Sequence, residues 1–247
     1  MIEQPNHPKT IREYLRLFFT GFAMGSADIV PGVSGGTMAF ILGVYESLIN
    51  AIKSFNLEVI QLALRLRIKE VLELVPWRFL VALGAGIAFA ILTLAHALTN
   101  LLENHPDYLY GFFFGLIVAS IIAITAQIKL WTPQVIMALI AGSVIAFLIV
   151  SRPPAEDAES NPIILFFSGM IAVNAMILPG ISGSFMLLIM GQYDNVLNAV
   201  KNVEIVNLFA VAIGCALGLM LFVRLLSYLL KHHHQVVIAL LIGFMIG

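Results

Sequence analysis

Four stretches of this chain contain no Asp, Glu, Lys or Arg and no internal Pro-Gly break: 79–102, 108–128, 130–151 and 205–223. Crossing about 30 Å of hydrocarbon takes about 20 apolar residues as a helix, so each stretch predicts a membrane span. The last is expected to continue as helix to residue 230, and a further span to begin at 235 and break off at Gly247. Composition agrees, since 60% of the residues are apolar and 11% charged, far from soluble usage. That excludes a soluble enzyme, and no basic face marks a nucleic-acid binder. The lone cysteine, Cys215, excludes an intramolecular disulfide framework and a cysteine metal cluster. The opening residues, Met1-Ile-Glu-Gln-Pro-Asn-His-Pro8, do not have the pattern of a signal peptide.

Two further apolar regions cannot be simple spans. Region 17–53 is interrupted by Asp28-Ile-Val-Pro-Gly-Val-Ser-Gly-Gly-Thr37, and region 163–201 by Pro179-Gly-Ile-Ser-Gly-Ser184. Proline and clustered glycine stop a helix, and the flanking pieces are short for a crossing. Each region predicts a re-entrant hairpin of two half-helices, with its irregular backbone satisfied by protein or a wet cavity. Residues 57–75, where Glu58, Arg65, Arg67, Lys69, Glu70 and Glu73 are laced with Leu and Ile, suit a helix lying in the interface.

With Gly21 set against Gly169, the two broken regions align without a gap. Of the 33 positions in 21–53 and 169–201, 14 are identical, including Pro31/Pro179, Gly32/Gly180, Ser34/Ser182, Gly35/Gly183, Tyr45/Tyr193 and Lys53/Lys201. Apolar composition alone does not reproduce that spacing, so the chain carries a duplication. A hairpin returns to its own side and three spans separate the two, so the second hairpin is expected to enter from the opposite face. The expected fold is an all-α polytopic membrane protein built as an inverted repeat, as in secondary transporters. The first repeat covers 1–151 (hairpin 17–53, interfacial helix 57–75, then three spans). The second covers 152–247 (an acidic loop, hairpin 163–201, then the remaining spans). On this topology 11 of the 13 Lys and Arg residues lie on the N-terminal side and two, Arg152 and Lys201, on the other. The positive-inside rule then puts the N-terminus in the cytoplasm.

Each Pro-Gly-x-Ser-Gly loop precedes a half-helix expected to start near Thr37 or Ser184. Helix N-termini present unpaired amides and a partial positive charge, and glycine lets a ligand approach the backbone. Phosphate-binding candidates are therefore Ser34, Gly35, Gly36 and Thr37 in the first loop and Ser182, Gly183 and Ser184 in the second. The competing reading makes the loops structural kinks whose serines only satisfy backbone groups. Asp28 is the only formal charge between Leu17 and Tyr45, and its repeat mate is Met176. Intramembrane acids are costly and usually functional, so Asp28 is a candidate for coupling; the alternative is a carboxylate that caps broken backbone. Glu46 and Asp194 occupy matched positions beyond the loops and are read as gating or structural residues. His96 reads as a packed core residue and His232-His233-His234 as part of an interfacial basic cluster rather than a metal site. No His-Glu-x-x-His or Walker loop is present, so no enzyme chemistry and no cofactor are expected.

The segments Ala27-Asp28-Ile-Val-Pro-Gly-Val-Ser-Gly-Gly-Thr37 with Gly43-Val-Tyr45-Glu46, and Pro179-Gly-Ile-Ser-Gly-Ser184 with Gly191-Gln-Tyr193, resemble the bacterial and archaeal polyprenyl-phosphate transporter family. The resemblance covers nearly the whole chain. It implies a flippase returning undecaprenyl phosphate, the carrier lipid of cell-wall synthesis, across the bacterial cytoplasmic membrane. The residues by themselves lead to an inverted-repeat transporter with an anion-suited centre; the lipid comes from the resemblance. A transporter or channel for a small soluble anion would use the same loops. The other expected partners are the bilayer and a coupling cation, proton or sodium. Moving one charge across 100 mV costs about 2.3 kcal/mol, which works against bringing a phosphate into a negative interior.

Overall fold

The computed structural model describes residues 8–30, 33–126, 128–155 and 158–247, and the described chain is all-helical. Pro31 and Gly32 of the first loop, and Glu156 and Asp157 of the acidic loop, lie outside the described residues. The first hairpin region forms α1 (Ile11–Ile29), α2 (Gly35–Ile41) and α3 (Tyr45–Lys53); α2 and α3 meet at a bend of 117°. Thr10 starts α1, its hydroxyl accepting from the Glu13 amide, as a capping residue should. Gly43, at φ +71°, makes the turn between α2 and α3, a conformation that favours glycine.

The expected single interfacial helix is divided into α4 (Leu57–Leu64) and α5 (Ile68–Leu74), because Leu66 adopts φ +57° and breaks the helix. Then follow α6 (Trp77–Asn104), α7 (Pro106–Thr125) and α8 (Pro133–Val150). The second hairpin region forms α9 (Pro162–Ile177), α10 (Gly183–Ile189) and α11 (Tyr193–Lys201), followed by α12 (Ile205–His232) and α13 (His234–Ile246). Among the described residues four helices, α6, α7, α8 and α12, are long and apolar enough to cross a membrane. This is a multi-pass membrane protein.

The duplication is visible in the helix boundaries. At the displacement that sets Gly21 on Gly169, the end of α1 at Ile29 recurs as the end of α9 at Ile177. At that same displacement both limits of α2 recur as those of α10, and both limits of α3 as those of α11. Beyond them the displacement is smaller. Trp77 and Asn104, the limits of α6, recur as Ile205 and His232, the limits of α12. The single-residue joint His105 then recurs as His233 with nearly the same backbone angles (φ −142°, ψ 53° against φ −133°, ψ 42°). The shortfall is the α4–α5 hairpin, which has no counterpart in the second half.

Close glycine contacts hold the bundle together. A Cβ at Gly86 would strike the Phe18 carbonyl, and one at its counterpart Gly214 would strike the carbonyl of Phe166, the repeat mate of Phe18. In the first half Gly21 faces Leu83 and Gly25 faces Ile87; in the second, Phe166 faces Gly214 and Met170 faces Gly218. In each pair both numbers rise together, so α1 runs parallel to α6 and α9 parallel to α12. Gly243 against Leu139 and Gly247 against Ser143 show the same for α13 and α8. Small residues that bring backbones together are the usual means of helix association in lipid. Because α6 runs in the same direction as α1, the chain between them must return to the side it started from.

Gly86→Val and Gly214→Val should each force α1 from α6, or α9 from α12. The expected loss is about 1–3 kcal/mol, as for other overpacked sites. It would be read as earlier aggregation on heating the detergent-solubilised protein, with Gly84→Ala, where an added Cβ meets nothing within 4 Å, as the neutral control.

Candidate functional site

The two broken-helix loops touch. The Gly180 amide donates to Thr37 Oγ1 at 2.8 Å, and Ser34 Oγ donates to the Met176 carbonyl at 3.4 Å. Gly36 is held so tightly against the end of α9 that a Cβ there would lie 2.8 Å from the Met176 carbonyl oxygen and 2.9 Å from that of Ile177. Gly180 adopts φ +91° and presses on α13, where a Cβ would come within 2.8 Å of the Phe244 carbonyl. Sequence reasoning placed the serines and Thr37 in one site but missed Gly180 and the Met176 carbonyl as their partners. The motif offered Gly180 as a signal; a backbone carbonyl leaves none.

The half-helices begin at Gly35 and Gly183, two residues before Thr37 and one before Ser184, with Ser34 and Ser182 as N-caps. At the first, the amides are occupied from within the chain. Asp28 Oδ1 accepts from the Gly35 amide at 2.6 Å, and Ser34 Oγ accepts from the Gly36 amide at 3.2 Å. A carboxylate at a helix N-terminus is favoured by the local dipole, and charge-assisted bonds of this length are strong. A Cβ at Gly35 would lie 2.5 Å from the Asp28 carboxylate, so glycine there makes room for the cap. Ser34 and Thr37 are buried, 3% and 2% exposed. In this conformation Asp28 stands where an external anion would sit.

The second loop differs. Ser182 makes no side-chain cap; its hydroxyl lies 2.8 Å from that of Ser184, and Ser184 is exposed. No residue of α10 is buried, whereas six of the seven in α2 are. The matched candidates thus fall into one closed half and one open half. Nearby on α9, the amide oxygen of Asn174 is buried with no hydrogen-bond partner among the described residues. Such an acceptor suits a water or a ligand hydroxyl.

Glu46 and Asp194 lie outside this centre. Glu46 Oε1 sits 2.8 Å from His234 Nε2, tying α3 to the start of α13 with both side chains half exposed. Further along α3, Lys53 Nζ donates to Ser227 Oγ on α12 at 2.9 Å. Asp194 is in the first turn of α11. Its neighbour Gln192, almost fully buried, donates to the Glu159 carbonyl at 3.0 Å and accepts from Asn195 at 3.2 Å. His96 is exposed, contrary to the packed core residue expected; it lies beyond Leu83, Gly86, Ile87 and Ala90, where α6 meets α1 closely. Of the other two histidines in the triplet, His232 Nδ1 lies 2.9 Å from the Tyr228 carbonyl.

A helical membrane protein whose halves each carry an interrupted helix, with the two interruptions in direct contact, has the architecture of membrane transport proteins. Residues 24–247 match the model of the VCA0040-like family, described as undecaprenyl phosphate translocase-like, and the chain belongs to that family. Its relatives include the polyprenyl-phosphate transporter of Vibrio cholerae serotype O1, 41% identical over 234 residues (95% of this chain and 76% of the relative). The polyprenyl-phosphate transporter of Staphylococcus aureus is 33% identical over 245 residues, covering 92% of this chain and 82% of that protein. No solved structure matches the chain.

Thr37→Val should leave the Gly180 amide buried without an acceptor and cost about 1–3 kcal/mol of stability. Thr37→Ser should restore most of it, and Ser184→Ala, at an exposed hydroxyl, should leave the melting temperature of the detergent-solubilised protein unchanged.

Proposed function

We propose that this protein carries a polyprenyl phosphate across the bacterial cytoplasmic membrane, returning the carrier lipid from the outer to the inner leaflet. The observation that carries this reading is the direct contact between the two Pro-Gly-x-Ser-Gly loops, which joins the hydroxyls and helix ends of both halves in one place. The names of two relatives supply the lipid. The headgroup binds at Ser182, Gly183 and Ser184, on the open side, and reaches Ser34, Gly35, Gly36 and Thr37 as the first loop opens. The phosphate then replaces the Asp28 carboxylate at the Gly35 amide and the Ser34 hydroxyl at the Gly36 amide. No bond is made or broken in the lipid.

In this reading the two halves are inverted, with the N-terminus cytoplasmic. Support comes from the helix directions. Three successive crossings make α8 run with α6; α13 runs with α8, and α12 must then run against α13. Because α1 follows α6 and α9 follows α12, α1 and α9 point oppositely. Polar contacts agree with this assignment. Glu46 with His234, Lys53 with Ser227, and the Leu130 amide with Gln235 all join segments placed at the cytoplasmic face. Gln192 with Glu159 and the Ala155 amide with Ile189 join segments placed outside. Glu46 and Lys53 thereby close the cytoplasmic side, and Asp194 belongs to the outer gate.

Inward movement of a phosphate against a negative interior requires a compensating cation, and Asp28 is the carboxyl placed to take up a proton when phosphate displaces it. Proteoliposomes loaded with labelled polyprenyl phosphate, with inorganic phosphate as a separate arm, test the reading. Uptake of the lipid headgroup should follow an imposed pH gradient, and Asp28→Asn should lose that response while still binding lipid. Gradient-independent uptake would exclude proton coupling, and transport of inorganic phosphate alone would replace the lipid by a soluble anion. Wild-type transport in well-folded Gly35→Val, whose side chain must displace Asp28, would remove the first loop from the substrate path.

A further inference from the structure

The α4–α5 hairpin is the part of the first half with no counterpart in the second, and the transport reading does not use it. It stands out on chemical grounds as well. The two helices pack on each other, and of all their residues only Val59 is buried. At the tip, Leu64 is 80% exposed and Leu66 82% exposed, with Ile68 beside them about half exposed. Arg65 and Arg67 lie between these and Lys69 follows, all three exposed. Charge is polarised along the hairpin: Glu58 and Glu73 sit at the base, where it joins α3 and α6. Among the described residues only Arg67 of the three cations at the tip is paired, through Nε to Glu70 Oε1. The positive φ of Leu66 turns the chain there, so that Leu64 and Leu66 leave the two helices as neighbouring apolar points.

We propose that this tip seats on an anionic phospholipid leaflet, with Leu64, Leu66 and Ile68 entering the acyl boundary and Arg65 and Lys69 meeting lipid phosphates. A leaflet is the surface that offers hydrocarbon and negative charge a few ångströms apart, which is the spacing of the alternating Leu-Arg-Leu-Arg-Ile-Lys run. Its level is fixed by the adjoining helix: α6 begins at Trp77, three residues after α5 ends, and the Arg78 guanidinium lies 5.3 Å from the Trp77 ring centre. Aromatic and basic residues at the start of a spanning helix mark the headgroup layer. The hairpin is thereby held at the height where both kinds of side chain find their partners. This inference stands apart from the identity of the transported lipid.

The test uses the full chain with Cys215→Ala and Leu66→Cys, labelled with bimane on the single remaining thiol. In nanodiscs, lipids brominated along the acyl chain should quench the label and aqueous iodide should not. Quenching by iodide alone places the tip in water, and quenching by neither places it under protein; both overturn the proposal. In neutral detergent micelles, added phosphatidylglycerol should change the bimane emission at concentrations where phosphatidylcholine does not. Each basic residue is worth about fivefold in attraction to an anionic surface, so Arg65→Gln with Lys69→Gln should raise the phosphatidylglycerol midpoint about 25-fold. An unchanged midpoint, or equal response to both lipids, overturns the role of the two cations.

Discussion

Broken helices inside a bilayer leave amides and carbonyls that no lipid can satisfy, and the rest of this structure is arranged around pairing them. The first interruption is closed by its own acid: Asp28 takes the Gly35 amide, and Ser34 takes that of Gly36. The second is closed by the first, because the Gly180 amide finds its acceptor in Thr37. Two motifs far apart in the chain therefore depend on each other for hydrogen bonds that water would otherwise provide. The glycines follow from this pairing. Gly36 must be small for α2 to reach the end of α9, and Gly180 turns the chain at a positive φ with no room for a Cβ against Phe244.

The same motif works differently in the two halves. Asp28 faces Met176 across the repeat, Gly36 faces Ser184, and Thr37 faces Phe185. Those three exchanges account for the asymmetry. The first loop carries an internal anion and a bridging hydroxyl: Ser34 and Thr37 are buried, and Asp28 is exposed beside them. The second lacks both, so Ser182 and Ser184 pair with each other at an open surface. In the first half the helix end is therefore capped from within the chain, and in the second half it is not.

Polar clasps at the ends of the bundle complete the arrangement. α3 is fastened to α12 and α13 through Lys53–Ser227 and Glu46–His234, and α11 is steadied by the buried Gln192 against the loop before α9. Lys53 and Lys201 are repeat mates, as are Glu46 and Asp194, but the clasps are not copies of each other. Their partners come from segments where the halves have diverged, such as His234, which stands where the first half has Pro106. The exposed pairs contribute modestly to stability; their value lies in holding short helices that have little apolar area of their own.

The sequence by itself determined the all-helical membrane fold, because charge-free runs of spanning length have one stable form in lipid. It also determined the duplication, because identities at fixed spacing survive where apolar composition alone would blur them. The spans came out within about two to three residues of their observed ends, the usual uncertainty of fraying termini. The split of residues 57–75 was not legible, since nothing in Leu66 announces a positive φ. Nor was the match of α6 to α12 at its shorter displacement, because their shared positions are Leu and Ala apart from Gly86/Gly214 and a joint histidine. Tertiary structure alone decided which half of the site is closed. Whether Asp28 faces an external anion or caps Gly35 depends on where the intervening loop brings the chain back. Whether Thr37 is a free hydroxyl or the acceptor for Gly180 depends on a contact between halves that are remote in the chain. A linear pattern specifies which groups need partners; only the packed helices determine which partner arrives.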